Sequence, residues 1–379
     1  MSKRFKVCVY AMLVFTLPVS CGRAGALETP ANESTPTCTD LIPEITKSEV
    51  RAQVNYGNNV GLVVGVVAPC GREIYAYGYS DLSKSKAVGE NTVFELGSIG
   101  KVFTTILLAD MVQRGEISLD DPIEKYLPAD VATPTFNGKS ITLVDLATQT
   151  SGLPLIPDNL APADEYNPYA DYTVEQMYDE LAHTHLTHDI GSEYEYSNFG
   201  MGVLGHILSL RSGMSYEDLV ITRITDVLGM PNTRETLTPE MWAHLATGYD
   251  GKEVFPLWDN PTLAGAGALR STADDMLTFL AANLGLQPSP LYDAMLATQE
   301  PHFQIDETTE IGLGWQIQTK GNAQIIWHNG ATGGYWCFAG LVRDKQMGAV
   351  ILTNSFQDIS YMGLSLLRTA PTNTTQPSP

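Results

Sequence analysis

Phe94-Glu-Leu-Gly-Ser98-Ile-Gly-Lys101-Val-Phe-Thr-Thr-Ile-Leu-Leu-Ala-Asp-Met-Val-Gln-Arg-Gly115 is the most clearly helical stretch of the chain. Val102, Phe103, Ile106, Leu107, Met111 and Val112 recur at helical spacing, which marks a segment apolar enough to be buried. Ser98 and Lys101 stand at i and i+3 at its start, an offset that makes two residues neighbours on one helix face. A hydroxyl and an amine so placed suit nucleophile chemistry. A serine hydroxyl is nearly inert at neutral pH, but an amine kept neutral by burial or by nearby positive charge can take its proton as it attacks a carbonyl. Gly97 and Gly100 let the backbone turn tightly around Ser98 and allow a substrate close.

Spacing alone is weak, since two common residues meet at a fixed offset by chance about once in a chain of this length. Ser83 and Lys86 share the offset inside Asp81-Leu-Ser-Lys-Ser-Lys-Ala-Val-Gly89, which lacks apolar periodicity and reads as a solvated loop. Ser98 differs in heading an apolar helix.

Before this helix, Gly61-Leu-Val-Val-Gly-Val-Val-Ala68, the turn Pro69-Cys-Gly-Arg72 and Glu73-Ile-Tyr-Ala-Tyr-Gly-Tyr-Ser80 predict a β-hairpin. After it the pattern is mainly helical to about residue 285, with candidate helices at Val144–Thr148, Val174–Ala182, Met201–Arg211, Tyr216–Leu228 and Ala273–Asn283. Strands then return at Gly312–Thr319, Gln324–His328, Tyr335–Val342 and Gly348–Thr353, and Ser360–Thr369 closes as a helix. Strands at both ends around a helical block predict an α+β fold. One antiparallel sheet is built from both chain ends and flanked by helices, with an inserted, mainly helical lobe over about 98–285. The folded domain is placed at 41–369, after a polar linker at 27–40 and before a flexible tail at 370–379. The cleft between sheet and lobe is the natural site.

Residues 1–26 have the zones of a signal peptide: Lys3, Arg4 and Lys6, an apolar run from Val7 to Leu17, and Ala24-Gly-Ala26 for cleavage. The run is too short to span a bilayer, so no integral membrane span is expected. A rival reading is a lipid anchor at Cys21, for which Pro18 is awkward. Both readings place the folded part in the periplasm or outside the cell. Loss of residues 1–26 removes four positive charges and no acid, taking the formal net charge from −21 to −25. So acidic a chain repels nucleic acid and anionic membranes. Cys38, Cys70 and Cys337 remain; an oxidising compartment permits a Cys38–Cys70 bridge, and Cys337, in an apolar strand, reads as a buried free thiol.

Two further segments are placed to meet Ser98 in the cleft: Tyr194-Glu-Tyr196-Ser-Asn198-Phe-Gly200 in a loop entering a helix, and Trp327-His328-Asn329-Gly330-Ala331-Thr-Gly-Gly334 between two strands. In order, Ser98-x-x-Lys101, Tyr196-x-Asn198 and His328-x-Gly330 resemble the three motifs of the penicillin-recognising serine hydrolases. That family includes class C β-lactamases, low-molecular-weight D,D-peptidases and related esterases. The likeness runs from about Gly61 to Thr369 and takes in Ile141–Pro154 and Gly265–Asp274.

The resemblance implies an acyl-enzyme on Ser98, with no metal or organic cofactor. Lys101 would share the Ser98 proton. Tyr196 would protonate the leaving group and later activate water, serving as a base only if lysine charge stabilises its phenolate. Asn198 would grip Lys101 and the substrate amide. His328, Asn329, Gly330 and Ala331 would bind substrate, and the backbone NH groups of Ser98 and Ala331 would form the oxyanion hole. The implied substrates are β-lactams or D-alanyl-D-alanine peptides of the cell wall, with a carboxylesterase as the alternative and a non-catalytic penicillin-binding or sensing protein behind it.

The third motif departs from the commonest family form, which has lysine, threonine and glycine there. Lysine offers a permanent charge to a substrate carboxylate, whereas His328, with an ordinary pKa near 6.5, offers a conditional one. The expectation is that carboxylate substrates bind less well as pH rises through that value. His183-Thr-His185-Leu-Thr-His188 has the histidine spacing of a metallo-β-lactamase zinc site. It lacks the aspartate that pattern needs and any later ligands in context, so it reads as loop histidines. Tyr56-Gly-Asn58 repeats the second motif and reads as a turn. Gly265-Ala-Gly267 has no phosphate lysine after it and reads as a close-packing loop before a helix capped near Thr272 with Asp275.

Overall fold

The computed structural model describes residues 41–321 and 323–369. The expected signal peptide, Cys21, the linker to residue 40, Cys38 and the tail from 370 lie outside the described residues. Eight strands form the main sheet: β1 (Gly61–Ala68), β2 (Gly71–Gly78), β3 (Phe303–Gln304), β4 (Thr309–Ile311), β5 (Gln316–Lys320), β6 (Ala323–Ala331), β7 (Trp336–Val342) and β8 (Met347–Thr353). Their order is β2-β1-β8-β7-β6-β5-β4-β3, antiparallel throughout. The two chain ends meet where β1 pairs with β8, Leu62 opposite Thr353 and Val67 opposite Gly348. The fold is therefore α+β, one antiparallel sheet assembled from both ends of the chain.

β1 shows why the sheet needs cover on both sides. Successive side chains of a strand point to opposite faces. Leu62, Val64 and Val66 join Val50 of helix α1 (Glu44–Asn55), while Val63 and Val67 join the large core with helices α2 (Gly100–Gln113), α3 (Asn198–Ser212) and α4 (Ala273–Asn283). Helix α5 (Ser360–Thr369) supplies Met362, Leu366 and Leu367 to the first of these cores. Each fully buried Leu or Val contributes about 1.5–3 kcal/mol, and the unbroken apolar run of β1 contributes on both faces. On the α4 side, Met276, Leu277 and Leu280 lie against the sheet, and the absent Cβ of Gly65 would stand 3.0 Å from Leu277. Thr272 caps α4 by accepting from Asp275 N at 3.2 Å, as the sequence suggested.

α2 is buried nearly all round and runs through the middle of the molecule. A helix apolar on every side must be interior. Phe103 stacks on Phe279 of α4 at 4.4 Å, and Thr104 donates to the Gly265 carbonyl at 2.8 Å, so α2 ties the sheet-covering helix to the glycine-rich loop.

Several boundaries differ from expectation. The strand expected from Gly312 begins at Gln316, because Gly314 adopts φ +76° and turns the chain against Thr105. Tyr216–Leu228 is two short helices, Tyr216–Val220 and Asp226–Leu228, joined by a π-helical turn. α1 carries no periodic signal in the sequence, because only Thr46 and Val50 of its residues are buried, too narrow a stripe. The strand expected at Gln324–His328 runs on through Asn329 to Ala331, and His328 to Ala331 pair with Trp336 to Ala339 of β7. Cys337 is a buried free thiol that donates to the Glu95 carbonyl at 3.0 Å, and Cys70 is exposed in the β1–β2 turn. None of the described helices is long and apolar enough to cross a membrane.

Candidate active site

Ser98 sits in a 3-10 turn, Gly97–Ile99, between the two-residue strand Phe94–Glu95 and α2. Gly97 has φ +50°, and a Cβ there would lie 2.7 Å from the Ala331 carbonyl oxygen and 2.8 Å from Ala331 N. From the other side, a Cβ on Gly330 would lie 2.0 Å from the Leu96 oxygen and 2.8 Å from Ser98 N. Two glycines thus let the nucleophile turn and the end of β6 touch backbone to backbone. This close approach is what brings the NH groups of Ser98 and Ala331 to one place.

Lys101, one turn on, is fully buried. Its Nζ lies 3.0 Å from Ser98 Oγ, 2.7 Å from Asn198 Oδ1 and 2.7 Å from the Ala266 carbonyl. Burial, with no carboxylate within ion-pair distance among the described residues, holds the amine well below its ordinary pKa. The Ala266 carbonyl and Asn198 Oδ1 can only accept. The two N–H bonds of a neutral amine satisfy them, and the lone pair is left facing the Ser98 hydroxyl. That is the arrangement of a general base.

Tyr196 places its ring 4.9 Å from Lys101 Nζ and hydrogen-bonds Ser98 through its hydroxyl. Burial raises its phenol far above the ordinary value, only partly offset by the Ser98 bond. Burial disfavours the phenolate of Tyr196 and the ammonium of Lys101 alike. In that state a neutral Lys101 would turn its lone pair to Ser98 Oγ, and a protonated Tyr196 would keep a hydroxyl able to donate. Asn198 opens α3, whose cap Ser197 accepts from Gly200 N at 2.8 Å. The segment expected to matter between Ile141 and Pro154 holds this turn from behind. Gln149 Oε1 accepts from Ser197 N at 2.6 Å, and the Pro154 carbonyl accepts from Ser197 Oγ at 2.6 Å.

His328, expected to offer a conditional charge, is buried in β6. It is only 3% exposed, and burial above all pulls its pKa down to about 3, with any positive charge on Lys101 acting the same way and the Asn329 carbonyl acting against it. It is neutral at physiological pH and offers no conditional charge. Nδ1 donates to that carbonyl, which makes Nε2 an acceptor. The ring centroid lies 6.4 Å from that of Tyr196. Strand alternation turns Asn329 the other way, where its Nδ2 donates to Ser360 of α5 at 3.1 Å.

The cleft at Ser98 is a narrow space of about 40 Å³, lined also by Tyr169, Trp258 and Asn260. Sequence reasoning missed these three, which lie on loops far from every motif. Tyr169 meets Trp258 edge-on at 5.6 Å. The glycine-rich loop packs as closely as its sequence suggested: a Cβ on Gly267 would lie 2.6 Å from the Gly97 carbonyl oxygen. The three histidines, of which His183 ends the helix Val174–His183, do not converge. His183 bonds Asp179, His185 is exposed, and His188 Nε2 lies 3.8 Å from Glu195 Oε2. Among the described residues His188, Glu193 and Glu195 are close enough to share an ion, a different set from the histidine motif.

Comparison with known proteins bears on the family and the fold. The family model described as Beta-lactamase matches residues 47–369. A "Beta-lactamase" of Escherichia coli K12 is 27% identical over 365 residues, covering 87% of this chain and 93% of that one. The "D-alanyl-D-alanine-carboxypeptidase/endopeptidase AmpH" of the same organism is 30% identical over 318 residues, covering 79% and 81%. The crystal structure of a class C beta lactamase from Rhodobacter sphaeroides superposes with a TM-score of 0.75 at 27% identity, over 86% of this chain and 98% of that one. A "Beta-Lactamase/D-Alanine Carboxypeptidase" from Pseudomonas syringae shares the fold with a TM-score of 0.77 at 22% identity, over 86% and 99%.

Proposed function

We propose that this chain, which belongs to the beta-lactamase family of hydrolases, is an exported enzyme that forms an acyl-enzyme on Ser98 from β-lactams or D-alanyl-D-alanine peptides. The observation that carries the reading is the Lys101 amine, buried and bonded to two obligate acceptors with its third direction on Ser98 Oγ. Lys101 takes the Ser98 proton as Oγ attacks the carbonyl carbon. The NH groups of Ser98 and Ala331 receive the oxyanion; as the tetrahedral intermediate collapses, Tyr196 gives its proton to the leaving group and is reprotonated by the Lys101 ammonium, which returns Lys101 to the neutral amine. Water then cleaves the ester by the reverse proton path, with Asn198 holding both Lys101 and the substrate.

A second reading, a carboxylesterase, has one specific observation in its favour. His328 is neutral, and none of the residues lining the cleft is cationic. A substrate carboxylate would find hydrogen bonds there but no opposite charge. The test is a panel of a chromogenic cephalosporin, a short-chain p-nitrophenyl ester and a D-Ala-D-Ala peptide. Turnover of the ester alone selects the esterase, and turnover of the cephalosporin or peptide selects the first reading. Turnover of none, with no covalent adduct, would leave a binding protein.

A further inference from the structure

Beside the catalytic cleft lies a cavity of about 610 Å³, far larger than the cleft. One layer of chain separates them. Along Leu257-Trp258-Asp259-Asn260 alternate residues face opposite ways, Leu257 and Asp259 into the cavity, Trp258 and Asn260 into the cleft. Asn167 and Tyr169 divide in the same manner. Asn167 and Asp259 lock the layer: Asn167 Nδ2 donates to Asp259 Oδ2 at 2.9 Å, and Asp259 N donates to Asn167 Oδ1 at 2.8 Å.

The cavity walls are largely apolar and aromatic, with Trp242, Leu245, Phe255 and Tyr335 among them, and Trp242 is 58% exposed. Three charged residues also face it: Glu235, Asp259 and Arg270. Arg270 is already engaged. Its side chain is 5% exposed and donates to Glu95 Oε1 and to the carbonyls of Glu235 and Trp258. Glu95, itself buried, balances its charge. Asp259 Oδ1 also lies 3.9 Å from Arg270 Nη2, so three carboxylates share one guanidinium and the excess of negative charge falls at Glu235. Glu235 feels Glu217, Asp259 and Arg270 only through space, and burial with the two acids raises its pKa to about 7. An apolar cavity of this size with a few converging polar groups is what small-molecule sites look like. Surplus carboxylate among aromatic faces is complementary to an organic cation.

We propose that this cavity is a second ligand site, for an ammonium compound with an apolar body, its cation at Glu235 and Asp259 and its body against Trp242, Phe255 and Leu257. The site stands apart from the hydrolase reading. Calorimetric titration of the full chain with phenethylammonium, 2-phenylethanol and 3-phenylpropanoate tests it. The cation should bind at least about tenfold tighter than the alcohol, equally well in Ser98→Ala, and Glu235→Gln should abolish that preference without lowering the melting temperature. Trp242→Ala should weaken cation and alcohol alike. Equal binding of all three compounds, an unchanged preference in Glu235→Gln, or binding lost in Ser98→Ala would overturn the proposal.

Discussion

Replacing Gly330 with alanine is a perturbation whose size can be read from the junction between β6 and the Ser98 turn. The added Cβ would stand 2.0 Å from the Leu96 oxygen and 2.8 Å from Ser98 N, both backbone atoms with little freedom to yield. Relief to an ordinary contact of about 3.5 Å requires the two segments to part by more than about 1 Å. That movement carries Ala331 N away from Ser98 N, and so opens the pair of donors assigned to the oxyanion. A misplacement of about 1 Å costs on the order of 100-fold in rate. Loss of one oxyanion donor costs about 10²–10³ in kcat, or about 2.7–4 kcal/mol. Overpacking adds about 1–3 kcal/mol of lost stability, visible as a lower melting temperature in a protein that still folds. The assay is steady-state kcat on the best substrate of the panel, with Gly89→Ala as control, since nothing lies within 4 Å of a Cβ there. A Gly330→Ala enzyme with kcat within about threefold of the parent would refute the reasoning.

Lys101→Met keeps the stem and removes the base, so kcat/KM should fall about 10²–10⁴. It also leaves the Ala266 carbonyl and Asn198 Oδ1 without a donor, so a urea melt should show a loss of about 1–3 kcal/mol. His328 is folded in its neutral form with its pKa drawn down to about 3. Its stabilising share is whole above an unfolded value of about 6.5 and declines by about 1.4 kcal/mol per pH unit as pH falls toward the folded value. Urea melts at pH 7 and pH 5 should show this loss in the parent and less of it in His328→Gln, and KM for a carboxylate substrate should show no inflection due to His328 near neutrality. Arg270→Met strands the buried Glu95 carboxylate and should cost about 3–5 kcal/mol in a denaturant melt, much of it recovered when Glu95→Gln is added.

The parts of this molecule legible in its sequence are those whose physics is local. The apolar strand Gly61–Ala68, the buried helix behind Ser98 and the cap at Thr272 announce themselves by periodicity or by one side-chain bond. The three motifs could be aligned with a known family because each is short and ordered along the chain. What could not be read depends on distant segments meeting. Tyr169, Trp258 and Asn260 reach the cleft from loops with no periodic signal. The Ala266 carbonyl that takes one Lys101 hydrogen carries no side-chain signature. The pKa of His328 belongs with these, because an ordinary imidazole value follows from the residue type, while its lowering follows from burial. Helix α1 escaped notice because so little of it is covered.

The most direct test of the central claim needs no knowledge of the substrate. The full chain is treated with a fluorophosphonate, which traps an activated serine, and digested for peptide mass mapping. The account requires one adduct, on Ser98, formed slowly in Lys101→Met and not at all in Ser98→Ala. Labelling at another residue, or labelling of Ser98→Ala at the parent's rate, would contradict it.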